Sequence, residues 1–200
     1  MGFSAKLSPS YCEIEPKSRE SADGDHNVDR DDVTAQLMDR VCAEAMRVQK
    51  PIAVRRGDPR ETGATALLQE SHSLMESLFP PEDNHFLSLD ALCLPDVDFF
   101  VAEAEGQCLG TIALAHKDDY AEVKSMFVAP AARGRGVARI LLAHLEEVAL
   151  TKGFGLLRLE TGTLLTAAIA LYTAQGFQPR GPFGAYEAND TSVFLEKSLG

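Results

Sequence analysis

The 200-residue sequence has no apolar run of the roughly 18 residues that a membrane-spanning helix needs. Its first residues lack the apolar segment of a secretion signal, so we expect a cytoplasmic protein with no membrane partner. The four cysteines form no Cys-x-x-Cys pair, and no histidine cluster accompanies them. This spacing argues against a zinc site and favours reduced, partly buried thiols, so no metal is predicted.

Positive charge is scarce as well. The sequence has 19 Lys and Arg residues against 30 Asp and Glu residues, a net charge of −11. Nonspecific nucleic-acid binding needs clustered basic side chains, so no nucleic-acid partner is predicted. The charges are also uneven, because residues 82–122 are mostly acidic whereas residues 124–139 carry four bases and no acid. The acidic stretch is suited to bind a cationic group and the basic stretch an anionic group. For most of these acids, however, an ordinary solvent-exposed position is the better interpretation.

The chain changes character near residue 51. Residues 1–31 are polar and turn-rich, which is typical of a disordered or loosely attached extension. Residues 32–49 repeat apolar side chains every three or four positions, which predicts an amphipathic helix. The later elements are predicted in the order β-α-α-β-β-β-α-β-α-β, with a hairpin around Glu105-Gly106. The second helix in this order is weak, and a loop is its alternative. This order predicts one α/β domain over residues 51–200, a mixed sheet with helices on its faces.

Residues 130–147, PAARGRGVARILLAHLEE, place two glycines and three arginines at the start of a helical apolar pattern. Glycine lets a ligand approach the backbone, and the first turn of a helix presents unpaired N–H groups with partial positive charge. Arginine adds charge-assisted hydrogen bonds. The stretch therefore predicts a site for a phosphorylated ligand. It matches neither the P-loop of ATP-binding proteins nor the dinucleotide fingerprint G-x-G-x-x-G.

The spacing around this turn resembles that of the GNAT superfamily of acetyl-coenzyme A-dependent N-acetyltransferases. Residues 133–138 fit the pattern [QR]-x-x-G-x-[GA], after a strand that ends at Val128, and ALYTAQGF supplies a later helix with Tyr172. The resemblance covers about residues 51–197, and NHFLSLDAL, LETGT and PFGAY are similar to a bacterial subgroup of small-molecule type. It implies the GNAT acyl-CoA N-acyltransferase fold, with a mixed, mostly antiparallel central sheet and flanking helices.

The resemblance implies that acetyl-CoA is the co-substrate, and it assigns the residues that bind it. The strand beside the pantetheine arm and the loop around the pyrophosphate correspond to Met126, Phe127, Val128, Arg133, Gly134, Arg135, Gly136, Val137, Ala138 and Arg139. Tyr172 matches the tyrosine that often protonates the departing thiolate, a role that suits a phenol with a pKa of about 10. Leu165 stands where many members have an asparagine, so the polar contact of that asparagine is missing here.

Two glutamates match family positions for the base that takes a proton from the amine. Glu122 lies on the strand of the cofactor residues, and Glu160 lies on the next predicted strand. Strand alternation places Glu122 on the same side as Lys124 and Met126. We favour Glu122 slightly, because it adjoins the acidic stretch. For both glutamates, a structural or substrate-orienting carboxylate is the alternative.

Acceptor recognition in this superfamily comes mostly from the segment between the first two strands, here ESHSLMESLFPPEDNHFLSLDAL. Within it, Glu82 and Asp83 are suited to attract a protonated amine, and His85 is a further candidate, although a surface role is its simpler interpretation. The late stretch RGPFGAYEAND, with Phe183 and Tyr186, predicts a second wall of the acceptor site, and a plain turn is the alternative.

The predicted function is transfer of an acetyl group from acetyl-CoA to a primary amine of a small molecule, by direct attack in a ternary complex. Two alternatives stay open. One is a catalytically weak module that senses coenzyme A and regulates a partner through the 32–49 helix, and the other is an acetyltransferase for protein N-termini or lysines. Retention of Tyr172 and both glutamates favours the enzyme. Because the superfamily is often dimeric, a homodimer is also open.

Overall fold

Seven strands and four helices follow one another in residues 51–200, the part of the chain that the computed structural model describes; the predictions for residues 1–31 and 32–49 lie outside it. The strands are β1 (Ala53–Arg56), β2 (Val97–Ala104), β3 (Gln107–His116), β4 (Ala121–Val128), β5 (Leu156–Gly162), β6 (Gln178–Arg180) and β7 (Ser192–Ser198). The helices are α1 (Thr62–Leu78), α2 (Leu89–Leu92), α3 (Val137–Thr151) and α4 (Thr166–Ala174).

The strands form one mixed sheet in the order β1-β2-β3-β4-β5-β7-β6. Every neighbouring pair is antiparallel except β4 and β5. β2 and β3 form the predicted hairpin, and its turn residues Glu105 and Gly106 both have positive φ. The prediction of a mixed, mostly antiparallel sheet is therefore confirmed.

Helices cover both faces of this sheet. Helix α3 buries side chains at helical spacing beneath its first turns, including Val137, Leu141 and Leu145, and these join the largest core cluster. Helix α1 buries Ala64 and Leu68 in a second cluster, which contains the alternate side chains of β2 and β3. Because successive side chains of a strand point to opposite faces, the two clusters lie on opposite faces of the sheet.

Two predictions needed correction in detail. The predicted second helix is only the single turn α2, where the hydroxyl of Ser88 accepts a hydrogen bond from the N–H of Ala91 at 3.1 Å. Strand β6 was not predicted, because a three-residue segment centred on Pro179 carries no strand pattern. Proline is tolerated there because β6 pairs with β7 on one side and forms the edge of the sheet on the other.

A β-bulge interrupts the ladder between β3 and β4. Ser125 has a φ of +50°, in the left-handed region, and its carbonyl accepts a hydrogen bond from Thr111 Oγ1 at 3.0 Å. A bulge adds one residue to a strand and therefore reverses the faces of the residues beyond it. Met126 accordingly packs against the core cluster beneath α3. The prediction that it shares a side with Glu122 and Lys124 was wrong.

Strands β4 and β5 are joined at their first residues and separate after that. Within the described chain they pair only at Ala121 with Leu157 and at Glu122 with Arg158. Both strands continue beyond these pairs, and a cavity lies between residues 123–128 and 160–162. The sheet therefore has a wedge-shaped gap in its centre, and this gap positions the site.

Within residues 51–200, no helix is both long and apolar enough to cross a bilayer. In the same range, no three His, Cys, Asp or Glu side chains are grouped so as to hold a metal ion. Cys93 and Cys108 are free and partly buried, as the sequence predicted, whereas Cys12 and Cys42 lie outside the described residues.

Candidate active site

The cavity between β4 and β5 has a volume of about 400 Å³. We name its two parts after their predicted roles. The cofactor half is lined from the end of β4, the start of α3 and helix α4, by Met126, Phe127, Val128, Arg133, Ala138, Leu171 and Tyr172. The acceptor half is formed by α1, the loop after it, the middle of β4, the end of β5 and the residue before β7. Its lining residues are Leu74, Met75, Phe79, Asp83, His85, Phe86, Lys124, Glu160 and Thr191.

The glycine turn before α3 exposes its backbone. Gly134 and Gly136 have φ of +77° and +80°, and a Cβ atom built on either would meet no described atom within 4 Å. The first hydrogen bond of α3 runs from the N–H of Ile140 to the carbonyl of Gly136 at 3.1 Å. The N–H groups ahead of Ile140 belong to the first turn and have no helix carbonyl to pair with. These features fit an anionic group at the start of α3.

One arginine of the turn supports the same conclusion. Nε of Arg135 is buried and has no hydrogen-bond partner among the described residues. A buried donor without a partner is costly, and an anionic ligand at the turn would satisfy it. The residues present therefore fit the pyrophosphate of coenzyme A.

The ten predicted cofactor residues lie together. Five of them line the cavity: Met126, Phe127, Val128, Arg133 and Ala138. The other five form the turn and the first helical residues beside it: Gly134, Arg135, Gly136, Val137 and Arg139. The side chain of Val137 is only 1% exposed and belongs to the core, so its backbone alone is available to a ligand.

Tyr172 projects from α4 at the wall of the cavity. Its side chain is 7% exposed, and its hydroxyl donates a hydrogen bond to Sδ of Met126 at 3.2 Å. A thioether is a weak acceptor, so this bond orients the hydroxyl without binding it strongly. Burial raises the pKa of Tyr172 above its usual value, which keeps the phenol protonated. The arrangement suits a proton donor.

The two candidate bases have different surroundings. Glu160 lies in the wall of the cavity, where Oε1 accepts a hydrogen bond from Ser192 Oγ at 2.8 Å. Burial raises the pKa of Glu160, which outweighs the lowering by Ser192. A carboxylate with a raised pKa is better able to accept a proton near neutral pH.

Glu122 lies outside the cavity wall and is 5% exposed. Its Oε1 accepts a hydrogen bond from the Tyr186 hydroxyl at 2.5 Å, and Nζ of Lys124 lies 3.4 Å from the same oxygen. This carboxylate is therefore already bound by two protein groups.

The five predicted acceptor residues are divided by the structure. Asp83 and His85 line the acceptor half of the cavity, whereas Glu82 is exposed in a 3₁₀ turn beside it. Phe183 is 5% exposed and belongs to an aromatic cluster that packs outside the cavity wall. Tyr186 packs against the same cluster and also lies outside the wall. The late stretch therefore supports the acceptor wall from outside the cavity.

Several lining residues were not predicted from the sequence. The outer end of the Phe79 ring lies against Gly162 at the end of β5, so that a Cβ atom at Gly162 would overlap the ring. The glycine in LETGT was the signal that could have indicated this close approach. Lys124 and Thr191 carried no such signal. Leu165, where the superfamily often has asparagine, also lines the cavity.

Comparisons with known proteins agree with this geometry. The model of the acetyltransferase (GNAT) family matches residues 65–177. The IAA acetyltransferase of Azospirillum brasilense is 41% identical over 150 residues, which cover 74% of this chain and 98% of that protein. The N-acetyltransferase YsnE of Bacillus subtilis is 35% identical over 137 residues, covering 67% of this chain and 91% of that protein.

Solved structures are similar over the same region. A Klebsiella pneumoniae protein named as an acyl-CoA N-acyltransferase has a TM-score of 0.63 and 30% identity, and the match covers 74% of this chain and 98% of that chain. The PaiA N-acetyltransferase of Thermoplasma acidophilum, solved in complex with coenzyme A, shares the fold at a TM-score of 0.57 and 16% identity, covering 74% and 99%. Since the family model spans more than half of the sequence and a relative above 40% identity is covered almost completely, the chain belongs to the GNAT acetyltransferase family and is an N-acetyltransferase.

Proposed function

We propose that the chain transfers the acetyl group of acetyl-CoA to a primary amine of a small molecule, by direct attack in a ternary complex. Family membership already defines the reaction class as acyl transfer to nitrogen. The observation that carries the finer proposal is one cavity whose wall contains Arg133 from the glycine turn, the protonated Tyr172 and the carboxylate of Glu160.

Acetyl-CoA fits the cofactor half. The N–H groups of the glycine turn and the nearby arginines would hold the pyrophosphate, and the backbone of residues 126–128 would lie along the pantetheine arm. Acetyl-CoA bound there supplies the thioester carbonyl that the amine attacks. Cys93 and Cys108 lie outside the cavity wall, which supports direct attack over an acyl-cysteine intermediate.

Glu160 is our choice for the base, in reversal of the slight preference for Glu122 that the sequence suggested. An ammonium group must lose a proton before its nitrogen can attack, and Glu160 is in the wall with a raised pKa. Tyr172 then donates its proton to the sulfur that leaves as the tetrahedral intermediate collapses, so that coenzyme A departs as a thiol. Glu160 and Tyr172 return to their starting states through solvent.

The acceptor half favours an amine with an apolar body. Its wall combines the apolar side chains of α1 and the loop after it with the carboxylates of Asp83 and Glu160. Lys124 is also in the wall, but Glu122 balances its charge. The remaining negative charge favours a cationic group, and the apolar surface favours hydrocarbon. The name of the A. brasilense relative also supports a small-molecule acceptor over a protein.

A thermal-shift titration with acetyl-CoA tests the cofactor. Ligand binding raises stability by about 2.7 kcal/mol at a concentration of 100 Kd, so we expect a clear rise in Tm. Gly136→Glu should abolish the rise, because it places a carboxylate where the pyrophosphate binds. Gly153→Glu is a matched control, since Gly153 also has positive φ and open space but lies beyond the far end of α3. Gly153→Glu should lower the Tm of the ligand-free protein as Gly136→Glu does. It should still show the rise in Tm with acetyl-CoA.

An amine panel, read by release of free thiol, tests the acceptor. We expect turnover with 2-phenylethylamine, which has one ammonium group on an apolar body, and not with peptides. Turnover of peptides alone would contradict the small-molecule acceptor. A rise in Tm with no thiol from any acceptor would instead support the coenzyme A-sensing module. No rise with acetyl-CoA would contradict the whole proposal.

A further inference from the structure

The acceptor half is bordered by two loops that are distant in sequence. The first comprises residues 79–88, between α1 and α2, and the second comprises residues 181–191, between β6 and β7. They meet beside the cavity, where the rings of His85 and Tyr186 pack edge to face with centroids 5.0 Å apart. A second contact joins them, since Asp83 accepts hydrogen bonds from Thr191 Oγ1 at 2.7 Å and from Asn189 at 3.3 Å.

A buried ion pair on β4 underlies these two loops. Glu122 and Lys124 are two residues apart on the strand, so their side chains share a face. Nζ of Lys124 lies 3.4 Å from Oε1 of Glu122, and the two side chains are only 10% and 7% exposed. Charges buried to this extent are costly unless each has partners that satisfy it.

The partners of this pair come from both loops. Nζ of Lys124 donates to the backbone carbonyl of His85 at 2.9 Å, in the first loop, and to the Tyr186 hydroxyl at 2.7 Å, in the second. The Tyr186 hydroxyl in turn donates to Glu122. These two hydrogen bonds use two of the three ammonium protons, and the Glu122 carboxylate at 3.4 Å adds an ionic contact. β4 is thereby connected to each loop through the same three side chains.

This arrangement leaves Glu122 poorly suited to remove a proton from a substrate. It lies outside the cavity wall, and its Oε1 is bound by Tyr186 and Lys124. Burial and the adjacent Glu122 carboxylate both raise the pKa of Tyr186, so the phenol stays protonated and donates to Glu122.

We propose that Glu122, Lys124 and Tyr186 form a clasp that holds the 79–88 and 181–191 loops against the sheet, and that Glu122 is a positioning residue for the acceptor wall rather than the base. The inference rests on the proposed function in one respect: it takes the acceptor half to be where the amine binds. The clasp itself is a statement about the two loops, which can be measured without any turnover.

Hydrogen–deuterium exchange on the full chain, with and without acetyl-CoA, is the primary test. In Tyr186→Phe, which keeps the ring but removes the bridging hydroxyl, we expect amide exchange in both loops to rise about tenfold. The thermal shift with acetyl-CoA should stay as in the wild type. Tyr120→Phe is the matched control: Tyr120 is 7% exposed in the same aromatic cluster but outside the clasp, so neither loop should change.

A double variant separates a clasp from a base. Lys124→Met alone leaves a buried carboxylate without its cation, and Glu122→Gln alone leaves a buried cation without its anion, so each should loosen both loops. Glu122→Gln/Lys124→Met leaves no buried charge, and glutamine at position 122 can still accept from Tyr186, so exchange in the 181–191 loop should return towards the wild-type rate. The 79–88 loop should stay fast in this double variant, because methionine at position 124 cannot donate to the His85 carbonyl. With the panel amine that the wild type acetylates, the single variants should raise the acceptor KM about tenfold or more and leave kcat within about threefold.

Three outcomes would overturn the inference. The first is that Tyr186→Phe and Glu122→Gln leave loop exchange at the wild-type rate. The second is that only one loop responds, because then the three residues do not join both. The third is that kcat, rather than KM, collapses equally in Glu122→Gln and in the double variant, which is the behaviour of a base. Failure of the proposed function looks different, since it would abolish thiol release and leave the exchange pattern intact.

Discussion

The cofactor half and the acceptor half of the cavity are built in different ways. The cofactor half comes mainly from one continuous stretch, residues 126–139, and uses backbone groups exposed by glycines with positive φ. The acceptor half is assembled from the end of α1, the middle of β4, the end of β5 and Thr191, which are brought together only by the fold. A local backbone site tolerates many changes elsewhere. A site made of distant side chains can change its specificity while cofactor binding is preserved.

Replacing Tyr172 by Phe should have the largest effect. It removes the proposed proton donor and only a weak hydrogen bond to Met126, so we expect kcat to fall about 100- to 1000-fold with little loss of stability. The thermal shift with acetyl-CoA should persist, which would separate chemistry from binding within the cofactor half. The rate is measured from the free thiol of coenzyme A released at fixed reaction times. A kcat within about threefold of the wild type would remove Tyr172 from the mechanism.

Glu160→Gln should have the next largest effect, a fall of about 100-fold in kcat/KM at neutral pH. It should also raise Tm at neutral pH. The folded-state pKa of Glu160 is raised by burial, so its contribution to stability is complete below the unfolded pKa and is lost as pH rises through the folded pKa. Glutamine avoids this loss while it can still accept the hydrogen bond from Ser192.

Melting curves from pH 4 to 8 test that expectation. The Tm gain of Glu160→Gln should shrink as pH falls and vanish near the unfolded pKa of about 4.3. Such a result would mean that the ionised, buried carboxylate of Glu160 lowers the stability of the fold at neutral pH. This cost is expected of a buried residue that serves as a proton acceptor. A gain that is independent of pH, or a variant with normal activity, would contradict the assignment of Glu160 as the base.

Gly162→Ala should have the smallest effect and act on the acceptor half alone. The added methyl group would overlap the ring of Phe79, which is 7% exposed and has little room to move. We expect a loss of about 1–3 kcal/mol in the free energy of unfolding and a higher acceptor KM. Gly181→Ala is the control, because a Cβ there meets no described atom within 4 Å. If acetyl-CoA binding weakened in Gly162→Ala as much as acceptor binding, the two halves would not be independent.

The sequence predicted the parts of the fold that depend on neighbouring residues. Helix α3 begins after the glycine turn and ends before Gly153, whose positive φ fits the predicted position just past the helix. The β2–β3 hairpin and the start of α3 are also determined by residues that are neighbours in the sequence. The proposed cofactor residues are also close in sequence, since they belong to one turn and one strand, and their role stays a prediction.

The features that were missed depend on contacts between distant segments. The bulge at Ser125 is a property of the register between β3 and β4, and strand alternation alone does not reveal it. The hydrogen bond from Tyr186 to Glu122 joins residues 64 positions apart, and nothing nearby in the sequence indicates it. Similarly, the burial that raises the pKa of Glu160 is a property of the assembled cavity.

The short contact between β4 and β5 has a mechanical consequence. Within residues 51–200, two residue pairs make the backbone ladder between the half-sheet β1–β4 and the half-sheet of β5, β6 and β7, and side-chain contacts such as those of Tyr186 with Glu122 and Lys124 join the half-sheets beside it. Because the ladder pairs lie at one end of the wedge, no strand hydrogen bonds among these residues resist a change in the angle between the half-sheets at its open end. A molecule that contacts both β4 and β5 at the open end would favour one angle between the half-sheets. Its binding free energy would then include the cost of holding that angle. We therefore expect release of such a molecule to be accompanied by a change in this angle.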